Sequence, residues 1–145
     1  MTTMMHATCV AVAGHGVLLR APSGGGKSDL ALRLIDAGAV LVGDDYCAFA
    51  VRDGMLVAAP SEALAGLLEV RGVGILRLPH ATETVVRLVV DLVPGGPLDR
   101  LPDAALTELL GVPLPTVSLD PFEASAAAKV RLAVRLATGD ISSAA

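Results

Sequence analysis

Residues 20 to 32 read Arg-Ala-Pro-Ser-Gly-Gly-Gly-Lys-Ser-Asp-Leu-Ala-Leu, and the stretch from Gly24 to Ser28 carries the residue types that phosphate chemistry needs. Holding a phosphate takes several backbone N–H groups aimed at one point, which forces dihedral angles that glycine reaches at little cost. A helix opening at Lys27-Ser28 adds its positive dipole end. In that setting the Lys27 ammonium reaches the β- and γ-phosphates of a nucleotide, and the Ser28 hydroxyl ligates Mg²⁺. The strict pattern has glycine at the first position, where this chain has Ala21. That position mostly serves the turn out of the strand, whereas Gly24 and Gly26 lie nearer the anion. The competing reading is a flexible strand-to-helix turn with an exposed lysine. An apolar strand before the loop and an amphipathic helix after it favour a nucleotide site over residues 21–28, that is Ala21, Pro22, Ser23, Gly24, Gly25, Gly26, Lys27 and Ser28.

A phosphate loop works with a carboxylate at the end of a neighbouring strand. Asp44 and Asp45 end the apolar run Ala-Val-Leu-Val-Gly, about one helix beyond the loop. In a parallel sheet the carboxyl ends of strands meet on one edge, which brings the pair beside Lys27. Two adjacent carboxylates can then divide the work, one on metal and one as general base. A polar turn between strands is the alternative. Glu69 and Arg71 interrupt the apolar run Leu-Leu-Glu-Val-Arg-Gly-Val-Gly-Ile, either as solvated charges on an edge strand or as two charges facing a site. Spacing alone assigns no role to His6, His15, His80 or Arg100.

The elements that must position these groups follow from turn signals and periodicity. Residues 8–14 and 16–21 are short apolar runs flanking Gly14-His15-Gly16, which predicts a hairpin. A helix of about three turns follows the glycine loop and stops at Gly38. Strands are predicted on both sides of Asp44-Asp45, with Asp53-Gly54 turning the second into residues 55–59. Pro60-Ser61 opens a short helix, residues 67–79 read as strand, glycine break and strand, and residues 82–93 form a further strand ended by Pro94-Gly95-Gly96-Pro97. No element is assigned to residues 98–119. The Ala-rich stretch from Phe122 to Gly139 is predicted helical, with a frayed tail.

With 145 residues, 53% hydrophobic and 18% charged, the chain is read as one domain, 1–145, able to bury a core. Only 2% of residues are aromatic, so Val, Leu and Ala supply that core. Eleven basic residues against 15 acidic ones, with no basic run, argue against a nucleic-acid surface. Gly, Pro or charge breaks every apolar run well short of a membrane span, and the opening residues lack the pattern of a signal peptide. Cys9 and Cys47 follow no metal-ligand spacing and read as buried thiols, in keeping with a reducing compartment. The expectation is a cytoplasmic domain.

Together these pieces resemble the catalytic domain of HPr kinase/phosphorylase, the enzyme that phosphorylates a serine of the phosphocarrier HPr. The likeness rests on Ser-Gly-Gly-Gly-Lys-Ser, on Val-Gly-Asp-Asp at the family's distance, on Leu-Leu-Glu-Val-Arg-Gly-Val-Gly-Ile-Leu and on Leu-Asp-Arg-Leu-Pro. It implies an α/β P-loop kinase domain with a mixed sheet flanked by helices, using ATP and Mg²⁺. Lys27 would contact the nucleotide phosphates, Ser28 and Glu69 would hold the divalent ion, and the pair Asp44-Asp45 would include the general base, with Asp45 favoured. His6 falls where the family has a histidine beside those carboxylates, and Arg100 where it has an arginine stabilising the transferring phosphoryl group. The resemblance further implies an HPr-like protein substrate of the phosphotransferase system and a homo-oligomer, hexameric in the family. Two departures stand out. Only five residues precede His6, where longer family members carry a separate domain, so the expectation is a truncated form holding the catalytic domain only; and Asp120-Pro121-Phe122-Glu123 stands where the family has Pro-Gly-Arg-Asn. That second change puts the dephosphorylating activity in doubt while leaving the kinase parts in place. A small-molecule kinase and a non-catalytic nucleotide sensor are the alternatives.

Overall fold

The computed structural model describes residues 2–22 and 24–144. Six strands surround the first helix: β1 (Thr3–His6), β2 (Thr8–Val12), β3 (His15–Arg20), α1 (Lys27–Asp36), β4 (Val40–Gly43), β5 (Tyr46–Arg52) and β6 (Met55–Pro60). After a single 3₁₀ turn at Glu62–Leu64 come β7 (Leu67–Val70), β8 (Gly74–Arg77), β9 (Thr84–Leu92), β10 (Ala105–Leu109), β11 (Val112–Leu119) and α2 (Ala126–Ala137). Strands β7 and β8 form a separate two-stranded ribbon; the others make one mixed sheet.

β9 is the hub of that sheet. One of its edges pairs in parallel with β3. The other edge is shared, antiparallel with β6 at Thr84 and Val85 and parallel with β11 from Val89 to Leu92. β2 lies antiparallel between β3 and β4, so β3 and β4 point the same way although they do not touch. The carboxyl ends of β3, β4 and β9 therefore share one sheet edge, as the sequence reading requires, through an antiparallel strand inserted between two of them.

Alternation along the strands sorts side chains to two faces. Val10 and Val12 of β2, Val17 and Leu19 of β3, and Leu88, Val90 and Leu92 of β9 pack under Leu30 and Leu34 of α1 and Val130 and Val134 of α2. Cys9, Ala11, Leu18 and Val89 face the other way, onto Cys47, Phe49, Leu56 and Ala58 of the β5–β6 layer. Both helices thus cover one face, and strands cover the other. Three strands are absent from the sequence reading: the exposed β1, which runs along β5 and contains His6, and the two of the β10–β11 hairpin within residues 98–119.

Cys9 and Cys47 are free and buried. Burial pushes the Cys9 thiol well above its ordinary value. Burial, with the Asp44 charge adding to it, pushes Cys47 up to about 12. A raised folded-state value means that the stability contributed is full below the unfolded thiol's value of ~8.5 and falls as the pH climbs toward the folded one. Neither thiol is expected to react with iodoacetamide at pH 8 in the folded protein, and both should react in denaturant. Mass spectrometry of the alkylated chain checks this, and rapid labelling of the native protein would contradict the packing described.

Candidate active site

Strand β3 delivers the chain at Arg20, whose guanidinium is anchored across the strand ends by Asp91 of β9, with Nε–Oδ1 at 2.8 Å. The glycine loop follows, and its three glycines are required for two different reasons. Gly24 and Gly26 take positive φ, 75° and 89°, where a side chain would be strained. A Cβ on Gly25 would stand 2.5 Å from the Cβ of Ala21 and 2.7 Å from the Pro22 carbonyl oxygen. The methyl at position 21 is accommodated because position 25 has none. Ser23, assigned to the loop from sequence, lies outside the described residues.

Gly26 is the N-cap of α1 and gives it no side-chain cap, so the helix's first N–H groups keep their capacity for an anion. Lys27 opens that helix and is buried, 8% exposed. Its ammonium donates to the Ala21 carbonyl at 3.4 Å, which holds it over the loop. The Ser28 hydroxyl donates to the Asp44 carboxylate, at 2.9 Å to Oδ1 and 3.1 Å to Oδ2. The strand-end carboxylate thus stands at the loop serine, the arrangement in which P-loop proteins hold a metal.

Asp44 and Asp45 diverge although they are neighbours. Asp45 has a φ of 69°, a conformation that Asp tolerates better than most residues. This reversal turns its carboxylate to His6, whose Nε2 lies 2.6 Å from Oδ1. Asp44 looks inward to Ser28, while Asp45 and His6 line a cleft of about 400 Å³ together with the glycine loop. Glu69 and Arg71 of the β7–β8 ribbon line the same cleft, so both charges face the site.

Phe122 closes one side. Its segment rests on the loop: a Cβ on Gly26 would come within 3.1 Å of the Pro121 ring and 3.3 Å of Phe122. Arg33 of α1 holds that segment by donating to the carbonyls of Pro121 and Glu123 while paired with Asp29. Glu123 is itself paired with Lys129 of α2 at 2.7 Å. Of the residues named from sequence, the structure gathers His6, Gly24 to Ser28, Asp45 and Glu69 around one cleft, with Asp44 joined through Ser28. Arg100 is exposed on the loop between β9 and β10 and is not among the cleft residues; the arginine found there is Arg71. Thr8, Arg33 and Phe122 escaped the sequence reading. Thr8 could have been found from its place two residues after His6, on the same side of an extended chain.

A strand, a glycine loop with a buried lysine and a serine held by a strand-end aspartate define a P-loop domain, the class of nucleotide-dependent phosphotransferases and NTPases. Comparison with known proteins gives the particular family. The family model for the HPr serine kinase C-terminal domain matches residues 1–130, and the chain belongs to that family. HPr kinase/phosphorylase from Bordetella petrii is 40% identical over 130 residues, covering 81% of this chain and 42% of that protein. The protein of the same name from Geobacillus is 39% identical over 111 residues, covering 69% and 36%. The chain therefore matches well under half the length of these relatives. A solved structure of Hpr(Ser) kinase/phosphatase from Coxiella burnetii superposes with a TM-score of 0.77 over 95% of each chain at 24% identity, which shows a common fold.

Proposed function

We propose that this domain is an ATP-dependent protein serine kinase acting on an HPr-type phosphocarrier. The observation that supports this most is the convergence at one cleft of the glycine loop, the Ser28–Asp44 contact and the Asp45–His6 pair. Phosphoryl transfer asks the protein mainly for positioning, for cations on the phosphoryl oxygens and for a base near the acceptor hydroxyl.

The donor set suits Mg²⁺. The Ser28 hydroxyl and the Asp44 carboxylate are adjacent hard oxygen ligands, and Glu69 lines the same cleft. Among the described residues no cluster of three or more His, Cys, Asp or Glu side chains could enclose a metal. Mg²⁺ characteristically relies on one or two carboxylates together with substrate phosphates, so it needs no such cage. When bound, it would offset charge on the bridging phosphates. The backbone N–H groups of the glycine loop and of the first turn of α1 cradle the anion, and Lys27 faces its terminal groups. Asp45, open to the cleft, accepts the proton of the incoming serine hydroxyl, and His6 fixes the direction of that carboxylate. Arg71 supplies a second cation at the cleft. The transition-state role that the resemblance gives Arg100 would require its loop to move in, or a second copy of the chain in an oligomer to present it.

The dephosphorylating reaction fits this cleft poorly. An apolar Phe122 stands at its wall in the segment where the family has an arginine, and the neighbouring Glu123 is paired with Lys129 rather than offering a cation. No helix among the described residues is long and apolar enough to cross a membrane.

The deciding experiment is transfer from γ-labelled ATP, with Mg²⁺, to an HPr-type protein carrying either its regulatory serine or an alanine there. Label on the serine form alone is the expected outcome. ATP bound with no label on either form would overturn the kinase reading in favour of a nucleotide-sensing regulator.

A further inference from the structure

Thr8 is fully buried at the first position of β2, one of the few polar side chains inside the core. A hydroxyl in such a place is costly unless it is hydrogen-bonded. It donates to Asp44 Oδ1 at 3.0 Å and accepts the backbone N–H of Asp45 at 3.3 Å. One oxygen therefore touches both members of the acidic pair, the carboxylate of the first and the main chain of the second.

The surrounding backbone explains why it can. The N–H of Ala7 donates to the Asp45 carbonyl at 2.9 Å, and the N–H of Tyr46 donates to the Asp44 carbonyl at 2.8 Å, so the two-residue turn is pinned against the start of β2. The β2–β4 pairing slips between Cys9 and Val10, and the strand's first residues are then free to meet the turn rather than β4. Within it, the Asp44 carboxylate could swing between rotamers. Donations from Ser28 and Thr8 converge on Oδ1, while Ser28 also reaches Oδ2. The N–H of Asp45 sits at the residue whose positive φ sends its side chain to the opposite quarter. The same hydroxyl thus holds one carboxylate in and helps turn the other out.

We propose that Thr8 is the positioning residue that separates the tasks of the two aspartates, holding Asp44 at the loop serine for the metal and fixing the reversed backbone that aims Asp45 into the cleft. This rests on the kinase reading above and adds a determinant to it. Partners one step removed from a metal commonly set affinity or rate by about 10- to 100-fold, and Thr8 stands in that relation to the site.

Thr8→Val keeps the shape and the β-branch but can neither donate nor accept. Thr8→Ser keeps the hydroxyl. The three proteins are compared by Mg²⁺ titration of fluorescent-ATP binding and by the rate of transfer to the phosphocarrier. For Thr8→Val the Mg²⁺ needed for half-maximal binding is expected to rise at least about fivefold and kcat to fall at least about tenfold. Thr8→Ser should stay within about threefold of the unmodified chain on both. A Val variant matching the unmodified protein on both measures, or a Ser variant as impaired as the Val variant, would overturn the proposal. If the unmodified protein binds nucleotide yet transfers nothing, the kinase reading falls by itself, and the Mg²⁺ titration of the three proteins still decides the role of Thr8.

Discussion

Lys27→Ala is expected to lower phosphoryl transfer at least about a thousandfold, equivalent to about 4 kcal/mol of lost transition-state stabilisation. The size follows from where the ammonium sits. It is buried against the loop, held by the Ala21 carbonyl and set at the N-terminus of α1, so its attraction for a phosphate is screened far less than that of a surface lysine. No carboxylate pairs with it among the described residues, so alanine strands no buried partner charge. The folded protein should survive the change, with a melting temperature close to that of the unmodified chain. Lys27→Arg should also be poor, since a planar guanidinium does not replace a compact point charge in so tight a loop. Activity of the alanine variant within tenfold of the original would remove the glycine loop from the chemistry.

Asp45→Asn is the second large effect. The amide keeps the shape and can still bond His6, but it cannot take a proton from the acceptor serine, and a loss of about a thousandfold or more in kcat is expected. Nucleotide binding with Mg²⁺ should be nearly unchanged, because Asp45 points to the cleft and His6 rather than to Ser28. Asp44→Asn should show the opposite pattern, with a raised Mg²⁺ requirement through its loss at Ser28 and Thr8. The pair is separated by measuring both quantities on both variants. Full transfer by Asp45→Asn, with collapse in Asp44→Asn at saturating Mg²⁺, would move the base to Asp44.

The glycine loop, α1 and the β2–β3 and β5–β6 hairpins were legible because their signals are local. Three glycines before Lys-Ser, a 3.6-residue period ending at Gly38, and Asp53-Gly54 between apolar runs each specify geometry within a few residues. The acidic pair was legible as a strand end, but the separation of Asp44 from Asp45 was not, since it depends on a backbone reversal and on a threonine 37 residues away. β1 escaped because Thr-Met-Met-His shows no alternation and holds a single β-branched residue, Thr3. It lies at the sheet edge, held by antiparallel pairing with β5 from Thr3 opposite Phe49 to His6 opposite Tyr46. β11 escaped because Pro113 and Pro115 break a strand pattern. Both precede Thr116, where pairing with β9 begins, so their missing N–H groups fall outside that ladder. The packing of Pro121 and Phe122 against Gly26 was not legible, because the family resemblance marked the stretch only as a departure and nothing in its residue types points to a phosphate loop.

The central position of β9 has a consequence for how this site comes into being during synthesis. The glycine loop hangs from β3, yet β3 finds its parallel neighbour about 70 residues later, with Gly16 opposite Val86. His6 likewise meets Asp45 only after β1 has docked on β5. Pairings of such long range close slowly, because the entropy of the intervening loop is lost before any contact compensates it. A nascent chain that has emerged as far as the acidic pair already contains the loop, the helix and both aspartates, yet lacks the strand that seats them. On the kinase reading, nucleotide is thus expected to bind the finished fold more tightly than a chain that ends at the acidic pair.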